Sequence, residues 1–237
     1  MTHTLGDGQL GDGQGRAPDA PVHGGIFTRS VRRDLTDLNR QYLEVGLRLE
    51  AGSDPLFAWS ADVRREIEMA GPVVRERMAA CPFALFEIHL PPGNSAPGTE
   101  SGIEAARVED RPQRDGPGAA RPDGCIAFTH GALFTAWRLA DSAPLAARIA
   151  FGLSPTAELE LKETCPTRIA TLATHPGVVR GRWHTHYRFW AMLRGAAQAD
   201  SESLLQWAHC VGICLLDGAR ASARVEEFAI QRDLPQR

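Results

Sequence analysis

Two prolines and a serine of the kind that punctuate helices recur in this chain at one fixed spacing, and the recurrence limits the folds open to it. Sliding the sequence by ninety-four positions without a gap sets Phe57 on Phe151, Ser60 on Ser154, Glu66 on Glu160, Pro72 on Pro166, Ala79 on Ala173 and Pro82 on Pro176. Serine caps the free N–H groups of a first helical turn; proline suits that turn and stops a helix that tries to run through it. Helical hairpins also share such residues by chance, so one coincidence says little. Together they read as one helical module present twice, with the weak self-similarity that repeats leave in sequence. Upstream, Arg48-Leu49 and Arg138-Leu139 also correspond if the second unit carries four extra residues.

Hydrophobic spacing supplies the elements. Leu35, Leu38, Tyr42, Val45 and Leu49 recur at steps of three and four, which predicts an opening helix with Asp34 as its cap. A second helix is expected from Ser60 with Val63 and Ile67 inward, and a third from Pro72, ending before Pro82. Phe86, Ile88 and Leu90 alternate, which predicts a short extended segment. The second unit is expected to repeat this layout and to add two helices. One contains Tyr187, Trp190 and Leu193; the other runs from about Glu202 to Ala221 with Leu204, Leu205, Ala208, Val211, Gly212 and Leu215 on a wide apolar face. The fold class expected is all-α.

Between the units, twelve of the thirty-four residues from Pro91 to Gly124 are Gly or Pro and the charges alternate in sign, which predicts a linker. The first residues repeat Gly-Asp-Gly without apolar periodicity. The expected organisation is a tail over 1–29, unit one over 30–90, a linker over 91–124, unit two over 125–222 and a C-terminal tail over 223–237. Each unit is large enough to bury a core of its own.

Few function classes are supported by chemistry. No phosphate-binding glycine loop, nucleophile elbow or dinucleotide fingerprint stands in the sequence, so no catalytic residue and no cofactor is assigned and the chain is not expected to be an enzyme. His184 and His186 flank Thr185, and in an extended chain both imidazoles would point the same way, but no ligand pair with metal spacing accompanies them. No metal is therefore assigned. Cys210 and Cys214 are one residue too far apart for a redox pair on a helix and read as buried small hydrophobes. Asp37, Asp62 and Glu66 read as solvated or capping carboxylates. No apolar run approaches the roughly 18 residues a membrane helix needs, and the N-terminus lacks the charge and apolar core of a signal peptide; a cytoplasmic protein is expected. A net charge of -3 excludes non-specific coating of nucleic acid but not a local basic face.

Such a face is suggested by a window without acids. From Thr164 to Ala199 there is no Asp or Glu, while Arg168, Arg180, Arg182, Arg188 and Arg194 interleave with Trp183, Tyr187, Phe189 and Trp190. Arginines among aromatics can hold phosphates and stack on bases, or meet an acidic protein surface. Arg180, Arg182, Trp183, Arg188 and Arg194 are the candidate contact residues for nucleic acid or a partner. Aromatics in the core with arginines as a solvated rim is the plainer alternative.

In this order the pieces resemble the FlhD family, the helical subunit of the bacterial flagellar master regulator. Asp37-Leu38-Asn39-Arg40-Gln41-Tyr42-Leu43 followed by Arg48-Leu49 is similar to that family's first helix. Ala147 to Ser154, the helix around Pro166 to Ala173 and Val178 to Trp183 follow its order of helix, turn, helix and basic-aromatic extended loop, and Leu205 to His209 with Gly212-Ile213 is similar to its C-terminal helix. The resemblance covers about two thirds of the chain. It implies a helical dimerising fold, transcriptional activation in flagellum biogenesis, and a complex with a zinc-bearing FlhC-type subunit that supplies most of the DNA contact. The chain is about twice the family's length, unit one lacks a C-terminal helix of its own, and no cysteine stands between Val178 and Trp183. Two units in one chain would make a covalent form of the homodimer, with Leu38, Tyr42 and Val45 packed against Leu133, Trp137 and Ala140. A homo-oligomer is the other assembly left open, and a helical interaction or scaffold protein with no nucleic-acid role is the alternative function.

Overall fold

The computed structural model describes residues 27–50, 54–91 and 121–215. The chain is mainly helical. Helix α1 (Arg29–Arg48) is capped six residues before Asp34, because the Thr28 side chain accepts the Val31 amide. A single 3-10 turn, Pro55–Phe57, is capped by Asp54; α2 (Ala61–Met69) is capped by Ser60, and α3 (Pro72–Ala79) opens on its proline. Strand β1 (Phe86–Ile88) buries Phe86 and Ile88, as the alternation predicts. Then come α4 (Asp123–Ser142), α5 (Pro144–Phe151), α6 (Pro155–Glu163), α7 (Pro166–Thr174), β2 (Val179–Gly181) and α8 (Tyr187–Gln198). A last helix, α9, covers 202–215, and its expected continuation to Ala221 lies outside the described residues, as do the C-terminal tail and residues 1–26. The N-terminal tail expected to 29 gives way to α1 at Thr28, and the linker expected to 124 gives way to α4 at Asp123.

Displacing α1 by ninety-four positions gives the bounds of α4, and displacing α2 gives those of α6; α3 falls on α7 to within one residue at its end. The caps keep the same displacement. Ser60 accepts the Val63 amide and Ser154 that of Ala157, and the closing bonds Ala70 N–H to Ile67 O and Thr164 N–H to Leu161 O correspond as well. Buried positions also agree: Leu35, Leu38, Asn39, Tyr42 and Gly46 of α1 fall on Thr129, Ala132, Leu133, Ala136 and Ala140 of α4, all buried. No extra residues are needed in the second half, so Arg48 falls on Ser142 and the Arg-Leu pairs do not correspond.

Each half is large enough to bury a core of its own, but the two do not do so separately. Buried residues from both halves form one cluster. Helices α1 and α4 pack antiparallel, with Val45 near Gly124 at one end and Asp34 bonded to Arg138 at the other. Strands β1 and β2 pair antiparallel with Glu87 opposite Arg180, and the ladder extends through His89 N–H to Val178 O (2.8 Å) and Arg182 N–H to Leu85 O (3.0 Å). Tyr42 packs on Phe57, Trp59, Phe86 and Phe128, so the aromatic centre draws on α1, β1 and α4 together. Of the residues expected at the seam, Leu38, Tyr42 and Leu133 are buried, while Val45 and Trp137 are partly covered. No helix among the described residues is long and apolar enough to cross a membrane.

Among the polar side chains carried into this core, Asn39 and Asp54 are satisfied by partners distant in sequence. Asn39 donates to the carbonyls of Ala79 (3.1 Å) and Phe83 (2.9 Å) and accepts the Leu85 amide (2.8 Å), which ties α1 to the end of α3 and the approach to β1. Asp54 and Arg121 form a buried ion pair, Nε to Oδ2 at 2.6 Å, and Arg121 also donates to Thr129 Oγ1 and the Ala173 carbonyl. Burial and the Asp54 charge push the neighbouring Cys125 thiol up to about 12.

Candidate functional site

The acid-free window folds into α7, β2, a tight turn and α8. The turn is strained. Trp183 has a left-handed backbone (φ 52), unusual for a bulky residue, and is held there by its ring and its carbonyl. Its indole packs on Phe83 and Phe189, and its carbonyl accepts from His186 N–H and from Trp190 Nε1. The next carbonyl, His184 O, accepts the Ser60 amide (2.8 Å), so the turn is fastened to the start of α2 in the other half.

This geometry divides the five candidate residues. Arg182 does not face outward: it is 3% exposed, and Nη1 donates to the carbonyls of Ala84 (3.0 Å) and Ala150 (3.2 Å), one from each half. Gly152 makes room for it, with a left-handed backbone (φ 74) and a position where an added Cβ would lie 2.5 Å from Arg182 Nη2. Trp183 is likewise buried, as are Phe189 and Trp190. Arg194 lies between α8 and α2, where Nε donates to Glu66 Oε2 (2.8 Å) and Nη1 to Gln198. Glu66, expected as a solvated carboxylate, is therefore the other half of that bridge.

Arg180 and Arg188 do reach solvent. Arg180 extends from β2, with Nε donating to the Gly177 carbonyl (3.2 Å), and Arg188 opens α8, with Nε on the Tyr187 hydroxyl (3.4 Å). His184, Thr185 and His186 are exposed between them. Beside Arg180, burial raises the Glu87 carboxyl, but the His89 hydrogen bond and the His89, Arg182 and Arg180 charges outweigh it and hold it below the ordinary value. Arg180, Glu87 and His89 thus lie together on the two-stranded sheet, while His184, His186 and Arg188 are exposed along the turn that leads from β2 into α8. His184 and His186 sit in a turn, not an extended chain, and no group of three or more His, Cys, Asp or Glu is gathered for a metal among the described residues.

Cys210 and Cys214 are exposed, not buried, because α9 is bedded through Leu205, Ala208 and Gly212 on the neighbouring stripe. That leaves Leu204 (47% exposed) and Trp207 (57%) facing outward. Between α8 and α9 lies a groove of about 380 Å³ lined by residues 185–189, including His186 and Arg188, and by Met192, Val211 and Leu215. The available signal was the absence of any Asp, Glu, Lys or Arg from Ser203 to Leu216, a span in which a solvated helix normally places several. No protein-family model, no curated protein and no solved structure matches the chain.

Proposed function

We propose that the protein is a DNA-associated transcriptional regulatory subunit of the FlhD type, in which two copies of one helical module in a single chain take the place of a homodimer. One observation supports this above others: helix bounds, serine caps and buried positions recur at a displacement of ninety-four, and the two halves meet through equivalent elements, α1 on α4 and β1 on β2. It acts without catalysis, in the cytoplasm, together with an FlhC-type subunit, and DNA is reached through that complex. Arg180 and Arg188 are the residues proposed to meet phosphate, and Arg182, Trp183 and Arg194 form the frame that aims them.

The test is promoter-fragment binding by the assembled complex. Replacing Arg180 and Arg188 together by Ala should weaken binding and lower the slope of log affinity against log salt by about one for each lost phosphate contact, with helical content unchanged. Unaltered affinity and slope would remove this surface from the function. A helical interaction protein with no nucleic-acid role is the second reading, favoured by the outward-facing Leu204 and Trp207. Its complexes would respond weakly to salt, and a pull-down from the native host would return no transcription factor.

A further inference from the structure

Helix α9 carries two apolar stripes and buries only one. Leu205, Ala208 and Gly212 lie against the body of the protein, with Gly212 so close to Phe83 that an added Cβ would stand 2.7 Å from its Cζ. Leu204, Trp207, Val211 and Cys214 follow at intervals of three and four and so share a second face, which continues into the groove beside Tyr187 and Met192. From Ser203 to Leu216 there is no charged residue at all. Patches of this kind mark contact sites in soluble proteins.

We propose that this face pairs with the same face of a second copy of the chain, α9 crossing α9 antiparallel about a two-fold axis near Cys210 and Val211. Charge argues for a like surface: from Ser203 onward α9 offers no charge, and Arg188 is the one fixed cation lining the groove among the described residues, so an acidic or basic partner would lose hydration for little return. Size argues for the antiparallel sense. Trp207 stands seven residues, about 10 Å along a helix, from the small Cys214, so reversal sets each indole over the other copy's Cys214 and at the mouth of its groove. The area is modest. At 57% and 45% exposed, Trp207 and Tyr187 together supply about 200 Å² per copy, on the order of a quarter of a standard interface. Leu204, Val211, Met192 and Leu215 add to this, and the dimer is one that dissociates on dilution.

The experiment is sedimentation velocity of the full chain over a concentration series, with a disulfide trap. The wild-type protein should shift from monomer to dimer as concentration rises, and Trp207→Glu, an exposed position, should raise the dissociation constant at least tenfold with unchanged circular dichroism. Mild diamide oxidation should cross-link a Cys165→Ser, Cys214→Ser variant through Cys210 near the axis. A Cys210→Ser, Cys214→Ser variant, which keeps the exposed Cys165 at the start of α7, should stay uncrosslinked. A chain that remains monomeric, including one whose own residues 216–237 cover the face, overturns the proposal, as does a dimer indifferent to Trp207→Glu. A tight dimer that survives Trp207→Glu through α1 and α4 would instead count against the tethered-pair function, so the two failures are distinguishable.

Discussion

Gly46 and Trp59 offer a direct test of the correspondence between the halves. Gly46 lies on the buried face of α1, and a Cβ there would stand 2.6 Å from Phe57 Cδ1 and 2.7 Å from Trp59 Cζ3, with Trp59 Cη2 closer still. Both rings are buried, and Trp59 Nε1 is fixed by a 2.7 Å bond to the Tyr42 hydroxyl, so neither ring can swing aside freely. Overpacking of this kind costs about 1–3 kcal/mol, while replacing a helical glycine by alanine returns roughly 1 kcal/mol. Gly46→Ala should therefore destabilise by up to about 2 kcal/mol. Ninety-four positions on, the second half carries Ala140 facing a region where Leu153 stands in place of the tryptophan. Trp59→Leu alone should cost about 3 kcal/mol through the lost ring and hydrogen bond. In that background only the contact with Phe57 remains, so Gly46→Ala should cost about 1 kcal/mol less, a coupling that a double-mutant cycle reads. Urea denaturation followed by circular dichroism measures all four proteins. Equal costs for Gly46→Ala in both backgrounds would refute the reasoning.

Three further outcomes are expected. Arg121→Met strands the Asp54 carboxylate in the core and should destabilise by about 3–5 kcal/mol, seen as a lower denaturation midpoint, whereas replacing the exposed Arg65 should change it little. Asn39→Leu leaves the Leu85 amide and the Ala79 and Phe83 carbonyls without that partner and should lower the midpoint by about 3 kcal/mol. His209 packs edge-on to Phe83, and burial, opposed by the Glu202 charge, lowers its pKa below the ordinary imidazole value. The unfolded chain then binds the proton first, so stability is full above the ordinary imidazole pKa of about 6.5 and declines as pH falls through it. His209→Phe should flatten that decline between neutrality and about pH 5; an identical pH profile in the variant would exclude His209 as its source.

Much of the architecture was legible because it rests on local chemistry. Ser60, Ser154, Pro72 and Pro166 set helix starts through their own side chains, and Phe86 with Ile88 declares an extended segment by alternation. What could not be read depends on partners distant in sequence. Arg182 looks like a surface cation until Ala84 and Ala150 bring their carbonyls to it, and Trp183 looks like a stacking platform until Phe83 and Phe189 enclose it. On α9 the apolar residues span more of the helix than one contact can cover, and the sequence does not tell which stripe is bedded, so Cys210 and Cys214 read as inward although both are exposed. The start of α1 was missed because Thr28 caps a turn of charged residues, Arg29 to Arg33, that carries little apolar signal.

The central claim is that two copies of one module share a single core and hold each other folded. It is tested by inserting a protease site between residues 92 and 120, cutting the folded protein there, and measuring mass and helicity before and after. The two fragments should remain together one to one with unchanged helical content, since α1 on α4, β1 on β2 and the Asp54–Arg121 pair all cross the cut. Fragments that separate under native conditions and each keep a folded helical core would contradict it.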